Sequence, residues 1–179
     1  MHRQLAAPAQ GEAARAADEI AAGIEGFRYN EAAEAAYRFV WGVFCDWYLE
    51  LAKPVLQGEG GDAARAETQA TTAFVIDQIA LMLHPFMPFI TEELWAITGA
   101  NGPTREGLLC HAAWPELSRL AAPEAEAEIG LIVDLISEVR SLRVETNVPG
   151  AEKIELVLVG ASAATQAAVR AWGDPIQKI

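Results

Sequence analysis

The chain has 179 residues, which is enough for one domain with its own hydrophobic core, or for one domain and a small appendage. No apolar run approaches the roughly 20 residues of a membrane helix, and the amino terminus lacks the apolar stretch of a secretory signal, so we expect a soluble, cytoplasmic protein without membrane contact. The formal net charge of −12 argues against a broad phosphate-binding surface, so any contact with a nucleic acid has to be local.

The first third of the chain predicts amphipathic helices. Residues 11–25 are rich in strong helix formers and predict the first helix. Residues 29–53 predict a long second helix, which Pro54 is expected to end. Glu34 and Arg38 lie four residues apart in the favourable order and predict an ion pair on its outer face. The apolar positions expected to face the core are 29, 33, 36, 40, 43, 47 and 51.

Two further helices are predicted in the middle of the chain. Residues 63–83 predict a helix that follows a glycine-rich loop, with Asp62 as its N-cap. Thr91 is expected to cap the next helix. Ile90 and Trp95 then occupy the two positions of a hydrophobic staple.

The last third of the chain predicts a mixture of elements. The connection 99–122 is expected to be coil, and residues 124–146 predict a helix. Residues 153–159 predict a β-strand, residues 162–172 a helix, and residues 174–179 the opening of another helix. One strand cannot form a stable sheet, so either it packs on the edge of the helical bundle or the natural protein continues beyond the last residue, and we expect the second.

Motifs for catalysis are absent from the sequence. It contains no phosphate-binding loop, no H-E-x-x-H and no C-x-x-C, so we expect neither a metal nor a cofactor in this chain. Cys45 and Cys110 are expected to be buried, reduced thiols. His84 is expected to be a structural histidine, and Trp95 and Trp114 are expected to be packing residues.

Three segments resemble the valine-specific class I aminoacyl-tRNA synthetases. They are FRYNEAAEAAYRFVWGVFCDWYLELAKPVLQG (27–58), LMLHPFMPFITEELW (81–95) and EVRSLRVETNVPGAEKIEL (138–156). The middle segment is shared with the related isoleucine, leucine and methionine enzymes, whereas the first and third are more specific. The stretch LAAPAQ departs from the Asn-Arg-Trp-like opening of the family, which suggests an altered or engineered start.

This resemblance implies a mainly α fold, a class Ia synthetase anticodon-binding helical bundle followed by a small, truncated α/β segment. The implied division is an altered or engineered extension (1–10), the bundle (11–122), and a helix with the start of the C-terminal α/β segment (123–179) that leads to a missing coiled coil. The implied partners are tRNA(Val) and the rest of the synthetase chain in cis, and the implied state is a monomer. The resemblance assigns ATP and Mg to the full-length enzyme and adenylation to a catalytic core outside this chain.

The implied function directs attention to rings and guanidinium groups, which can stack on or hydrogen-bond to unpaired anticodon bases. The candidate tRNA contacts are Arg28, Tyr37, Arg38, Trp41, Phe44, Arg140 and Arg143. Tyr37, Trp41 and Phe44 follow one another at four and three residues and therefore line one side of a helix, but such a stripe also suits a hydrophobic core. Trp47 and Tyr48 are assigned to the core.

The arginines also have an ordinary interpretation. Arg38 suits an RNA contact and a solvated ion pair equally well. Arg140 and Arg143 lie one helical turn apart and suit phosphate binding, or pairing with Glu138 or Glu145.

Two other functions remain open at this point. One is the corresponding domain of an isoleucyl- or leucyl-tRNA synthetase. The other is a helical protein-interaction module without an RNA role, which the acidic charge and the alanine-rich faces favour.

Overall fold

The computed structural model describes residues 2–100, 102, 105, 107–149, 152–173 and 176. These residues form a mainly α-helical structure, and no β-strand occurs among them. They divide into two compact units, residues 2–123 and the residues from 124 onwards. Within this described part of the chain, every helix is too short or too polar to cross a bilayer.

The helices predicted between residues 11 and 172 are confirmed as elements. The first unit contains α1 (His2–Glu25), α2 (Tyr29–Tyr37), a π-helical segment (Arg38–Tyr48), α3 (Leu49–Leu56), α4 (Gly61–Leu83) and α5 (Pro88–Gly99). Helix α6 (Pro123–Glu145) begins at the boundary, and the second unit also contains α7 (Ala163–Ala171). Two single-turn 3₁₀ helices, Leu109–His111 and Ser118–Leu120, lie in the connection that was predicted as coil.

Helix α1 begins nine residues before its predicted start, because the alanine-rich segment 2–10 continues the same helix. Its buried face includes Ala9, Ala13, Ala17 and Ile20, spaced by three or four residues. Helix α1 packs against α2, the π-helical segment and α4. Small side chains on this face allow the neighbouring helices to approach closely.

The predicted helix 29–53 is three consecutive helical segments that continue to Leu56. Pro54 lies inside α3, where its missing N–H removes one intrahelical hydrogen bond, and only Val55 and Leu56 follow it in the helix. The buried positions also differ from the predicted stripe, since Tyr29 and Ala33 are exposed. The buried residues are Ala32, Ala35, Ala36, Phe39, Phe44, Tyr48, Leu51, Ala52 and Val55. The residues that face the core are therefore mainly small alanines in α2 and aromatic rings in the π-helical segment.

The prediction that Asp62 is the N-cap of α4 is wrong. Gly60 is the N-cap residue, with a φ of 88° that favours glycine, and no side chain caps this end. Asp62 lies in the first turn, where its charge is favourable to the helix dipole. Further along α4, the Thr72 hydroxyl lies 3.0 Å from the Tyr48 hydroxyl, and burial raises the pKa of Tyr48.

The prediction that Thr91 caps α5 is wrong. The helix begins at Pro88, a favourable first residue because its fixed φ suits a helix and its missing N–H needs no partner, and Met87 is the N-cap residue. Thr91 is buried inside the helix and donates its hydroxyl to the Met87 carbonyl at 2.8 Å. The Thr91 oxygen lies 2.8 Å from Nδ1 of His84, which confirms a structural role for this histidine. Ile90 is exposed, so the predicted staple is wrong.

Glu92 connects α5 to the first 3₁₀ turn. Its carboxylate accepts the backbone amides of Leu109 at 2.8 Å and Cys110 at 3.0 Å. Desolvation acts to raise the pKa of Glu92, but these hydrogen bonds, the Cys110 thiol and nearby His84 together lower it. The pKa of Cys110 is raised, by desolvation and by Glu92. Both cysteines are free, but Cys110 is exposed and Cys45 only half-buried, so the expected burial is wrong.

The second unit contains the two C-terminal helices. Helix α6 confirms the prediction to within one residue at each end and buries Ile132 and Ile136. Helix α7 is capped by Ser162, whose hydroxyl accepts the amide three residues further on at 3.1 Å. Trp172 is buried and donates its indole N–H to Glu128 of α6 at 2.8 Å. This bond joins the end of α7 to α6.

The β-strand predicted at residues 153–159 is wrong. This segment has no regular secondary structure, and all of its residues are exposed. The described residues contain no neighbouring strand to pair with it, and an apolar segment gains strand structure only through such pairing. The described residues of the second unit therefore do not show the small α/β segment. The helix predicted at 174–179 lies outside the described residues, except for Ile176.

Candidate nucleic-acid interface

The outer face of α2 and of the first π-helical turn carries two exposed rings. Tyr37 is 64 % and Trp41 57 % exposed. On the opposite side of the same helix, Ala32, Ala36 and Phe39 are buried and hold the helix to the rest of the unit. The two rings lie four residues apart, so they lie close together on one surface.

Phe44, the third predicted member of this stripe, is buried. Its ring is 6 % exposed and stacks on Tyr48, with 5.5 Å between the centroids. In an α-helix, residues 37 and 44 would share a face, because seven residues are close to two turns. The π-helical segment adds a residue to each turn and rotates Phe44 inwards. The prediction that Phe44 contacts RNA is corrected: its ring belongs to the core.

Arg38 lies between carboxylates from two helices. Its Nη2 donates to Oε2 of Glu19 on α1 at 2.8 Å, and its Nη1 lies 3.3 Å from Oε1 of Glu34. The second contact confirms the ion pair predicted from the four-residue spacing. The three side chains are 45 % to 67 % exposed, so water and solutes reach the guanidinium group.

Arg28 lies in the turn between α1 and α2. Its Nε donates to Oε2 of Glu31 at 2.8 Å, and the side chain is 54 % exposed. A Cβ atom at Gly26 would come within 2.9 Å of Nη1 of Arg28, so this turn has a glycine where the arginine folds back. Arg28 is therefore fixed near the start of α2.

Two exposed rings in the same turn were not among the predicted contacts. Phe27 is 80 % and Tyr29 55 % exposed, and their rings form an edge-to-face pair with centroids 6.4 Å apart. Phe27 has a φ of 58°, in the left-handed region that bulky residues seldom adopt. A large aromatic residue next to a glycine in a short turn between helices is the signal that would have indicated this exposure.

Two shallow grooves run between α1 and α2, and Arg38 lines both. The first, of about 330 Å³, is lined by Glu12, Arg15, Ala16, Glu19, Ala35, Arg38, Phe39 and Val43. The second, of about 290 Å³, is lined by Glu19, Ala22, Arg28, Glu31, Glu34, Ala35 and Arg38. Four glutamates and three arginines therefore line these grooves. Carboxylates outnumber guanidinium groups here, as they do in the whole chain.

Arg140 and Arg143 lie on α6, in the second unit. Arg143 is half-buried and donates through Nη2 to the carbonyl oxygens of Pro149, at 2.8 Å, and of Glu152. Its guanidinium thereby holds the chain that follows α6. Arg140 is exposed, and its predicted contact with RNA stays a prediction.

The family of the chain follows from comparison with known proteins. A family profile described as the anticodon-binding domain of tRNA ligase matches residues 10–158. The chain belongs to this family of anticodon-binding domains. The match includes all of α2 to α6, and therefore the exposed rings and both grooves.

Relatives of this anticodon-binding domain are named valine–tRNA ligase. A protein of that name from Mesorhizobium japonicum is 56 % identical over 155 residues, which cover 87 % of this chain and 16 % of the relative. Those from Caulobacter vibrioides and Rhodopseudomonas palustris are 52 % and 48 % identical, and cover 88 % and 94 % of the chain. The chain spans only 16 % to 20 % of the length of these three relatives. Two alternatives were open from the sequence: an isoleucine or leucine enzyme, and a protein-interaction module. These matches do not favour either of them.

Proposed function

We propose that this chain holds the anticodon arm of tRNA(Val) as part of a longer valine–tRNA ligase. Membership of the anticodon-binding family and the names of the relatives support the proposal. By this proposal, ATP and Mg²⁺ serve a ligase core outside the chain. The observation that carries the proposal within the molecule is the pair of exposed rings, Tyr37 and Trp41.

Exposed rings of this kind suit unpaired nucleotides. A base in an RNA loop presents both of its faces, and stacking on an aromatic side chain contributes about 1–3 kcal/mol per base. An exposed Trp or Tyr would otherwise be an unfavourable contact of apolar surface with water. Tyr37 and Trp41 offer two such platforms one turn apart, and the Phe27–Tyr29 pair adds two rings at the start of α2.

The arginines next to these rings provide hydrogen-bond donors for base edges and phosphates. Arg28 and Arg38 each use part of their donor set on glutamates, and a guanidinium group has five N–H donors. Because the guanidinium groups of Arg28 and Arg38 already pair with glutamates, they neutralise few phosphates when RNA binds to this surface. We therefore expect a shallow dependence of affinity on salt, which reconciles RNA binding with the net charge of −12.

The direct test is binding of the 179-residue chain to transcribed tRNA(Val), measured by fluorescence anisotropy. The matched competitor is the same transcript with its anticodon-loop bases replaced and its stems unchanged. We expect the altered loop to weaken binding by about tenfold, because hydrogen bonds to the edges of the anticodon bases are lost, whereas the replaced bases can still stack on the rings. Equal affinity for the two transcripts, or no binding to either, contradicts the proposal.

A second comparison addresses the amino-acid specificity of the tRNA. Transcribed isoleucine tRNA, offered to the same chain, tests whether valine tRNA is preferred. We expect valine tRNA to bind more tightly, and a preference for isoleucine tRNA would assign the chain to the isoleucine enzyme.

A further inference from the structure

The ion pair between Glu19 and Arg38 joins two helices at the surface where we propose that RNA binds. Glu19 belongs to α1, whereas Arg38 follows α2. The two charged groups are 2.8 Å apart, and Glu34 lies 3.3 Å from the same guanidinium. One positive charge is therefore matched by two negative charges.

We propose that Glu19 masks Arg38 from RNA phosphates and so limits the affinity of this surface for RNA. The inference rests on the proposed function, because it concerns the same surface. A phosphate that approaches Arg38 meets a group with a net negative charge and has to displace a carboxylate. Glu19 thereby competes directly with the RNA backbone.

Glu19 is a stronger competitor than Glu34. Glu34 is on the same helix as Arg38, lies further from the guanidinium and is 67 % exposed. Glu19 is 45 % exposed and is carried by α1, whose packing against α2 sets the position of its carboxylate. The hydrogen bond that Glu19 accepts from Arg38, 2.8 Å long, also has an ordinary length for a charged pair.

Glu19 also determines the direction of the Arg38 side chain. Arg38 lines the two grooves between α1 and α2, whereas Tyr37 and Trp41 line neither of them. The long arginine side chain is thus drawn towards α1. Without Glu19, the guanidinium keeps only the longer of its two carboxylate contacts, the one with Glu34, and can turn more readily towards a phosphate beside a base stacked on Trp41.

The size of the effect follows from the exposure of the pair. Ion pairs in contact with water are weak, so we expect removal of the Glu19 charge to tighten RNA binding by about two- to fivefold. One additional phosphate contact on a single-stranded loop steepens the slope of log affinity against log salt by about 0.7.

The test compares two charge-matched variants, Glu19→Gln and Glu50→Gln. Glu50 is 44 % exposed, pairs with Lys53 on α3, and its substitution changes the net charge by the same amount. Each variant is also combined with Arg38→Ala, and the binding of tRNA(Val) is titrated at several salt concentrations. Circular dichroism confirms that each variant is folded.

We expect tighter binding and a steeper salt slope for Glu19→Gln only, and we expect both changes to vanish in the Arg38→Ala background. If the wild type binds tRNA but Glu19→Gln and Glu50→Gln behave alike, masking is wrong and the proposed function stands. Weaker binding by Glu19→Gln also overturns masking, since the glutamate would then support the contact. Failure of the wild type to bind any tRNA overturns the proposed function, and masking with it.

Discussion

Arg105 lies over the ring of Trp95, with its guanidinium carbon 3.7 Å from the ring centroid. The same guanidinium donates to the Trp95 carbonyl at 2.7 Å and to the carboxylate of Asp77 on α4 at 2.6 Å. Only 11 % of the Arg105 side chain and 23 % of the Asp77 side chain are exposed. Arg105 therefore joins α4 and α5 and fixes the connection that follows them.

Arg105→Ala is expected to lower the free energy of unfolding by about 2–3 kcal/mol, because Asp77 would lose its partner in a largely buried place. Urea denaturation measures the change. Arg65→Ala, which removes an exposed arginine from α4, is the matched control and should change stability by less than about 0.5 kcal/mol. Equal effects of the two substitutions would contradict the role of Arg105.

Glu92 is expected to make stability depend on pH. Its pKa in the folded state lies below the ordinary value of 4.5, so the carboxylate stabilises the fold above that value. The stabilisation is lost as the pH falls through the folded-state pKa. The loss of stability caused by Glu92→Gln should therefore be larger at pH 7 than near pH 3.

Urea denaturation of the wild type and of Glu92→Gln at both pH values measures this difference. Other carboxylates titrate in both proteins and cancel in the comparison. A penalty that is the same at both pH values would show that the charge of Glu92 does not stabilise the contact with Leu109 and Cys110.

Phe44 and Phe89 are expected to respond differently to truncation. Phe44 is 6 % exposed and stacks on Tyr48, so Phe44→Ala should cost about 3–5 kcal/mol of stability. Phe89 is 91 % exposed, and Phe89→Ala should cost less than about 0.5 kcal/mol. Thermal denaturation provides the measurement. A stable Phe44→Ala variant with weakened RNA binding would restore the sequence-based role for this ring.

Gly23 allows α1 and α2 to approach closely. A Cβ atom there would lie 2.8 Å from Cβ of Ala32 and 3.0 Å from its backbone nitrogen. Gly23→Ala should therefore lower the free energy of unfolding by about 1–3 kcal/mol, because backbone atoms have to move. Gly42→Ala is the control, since a Cβ atom at Gly42 meets no atom within 4 Å. It should leave stability unchanged or raise it by up to about 1 kcal/mol.

Much of the helical fold is predictable from the sequence, because periodicity and terminal residues act locally. Helices α6 and α7 begin and end within one residue of their predictions. The predicted start of α5 is wrong, because Pro88 and Thr91 both suit a helix start. The hydrogen bond between His84 and Thr91 favours the position of Thr91 inside the helix. The prediction of a strand at 153–159 is wrong, because high β propensity does not produce a strand without a partner strand to pair with.

The candidate site is predictable only in part, for a geometric reason. Arg38 and Glu34 were paired correctly because the four-residue spacing is local. Glu19 was missed because its contact with Arg38 depends on how α1 packs against α2. Phe44 was placed on the wrong face because a π-helical register is not evident from α-helical periodicity.

By the proposed function, the rings of Tyr37 and Trp41 bind unpaired bases of the anticodon loop. The most direct measurement is the affinity of the anticodon stem–loop of tRNA(Val) for the wild type, for Tyr37→Ala/Trp41→Ala, and for Phe89→Ala as an exposed-ring control. We expect binding at least about tenfold weaker for the double variant and unchanged for Phe89→Ala. Unchanged affinity in a folded double variant would contradict this expectation.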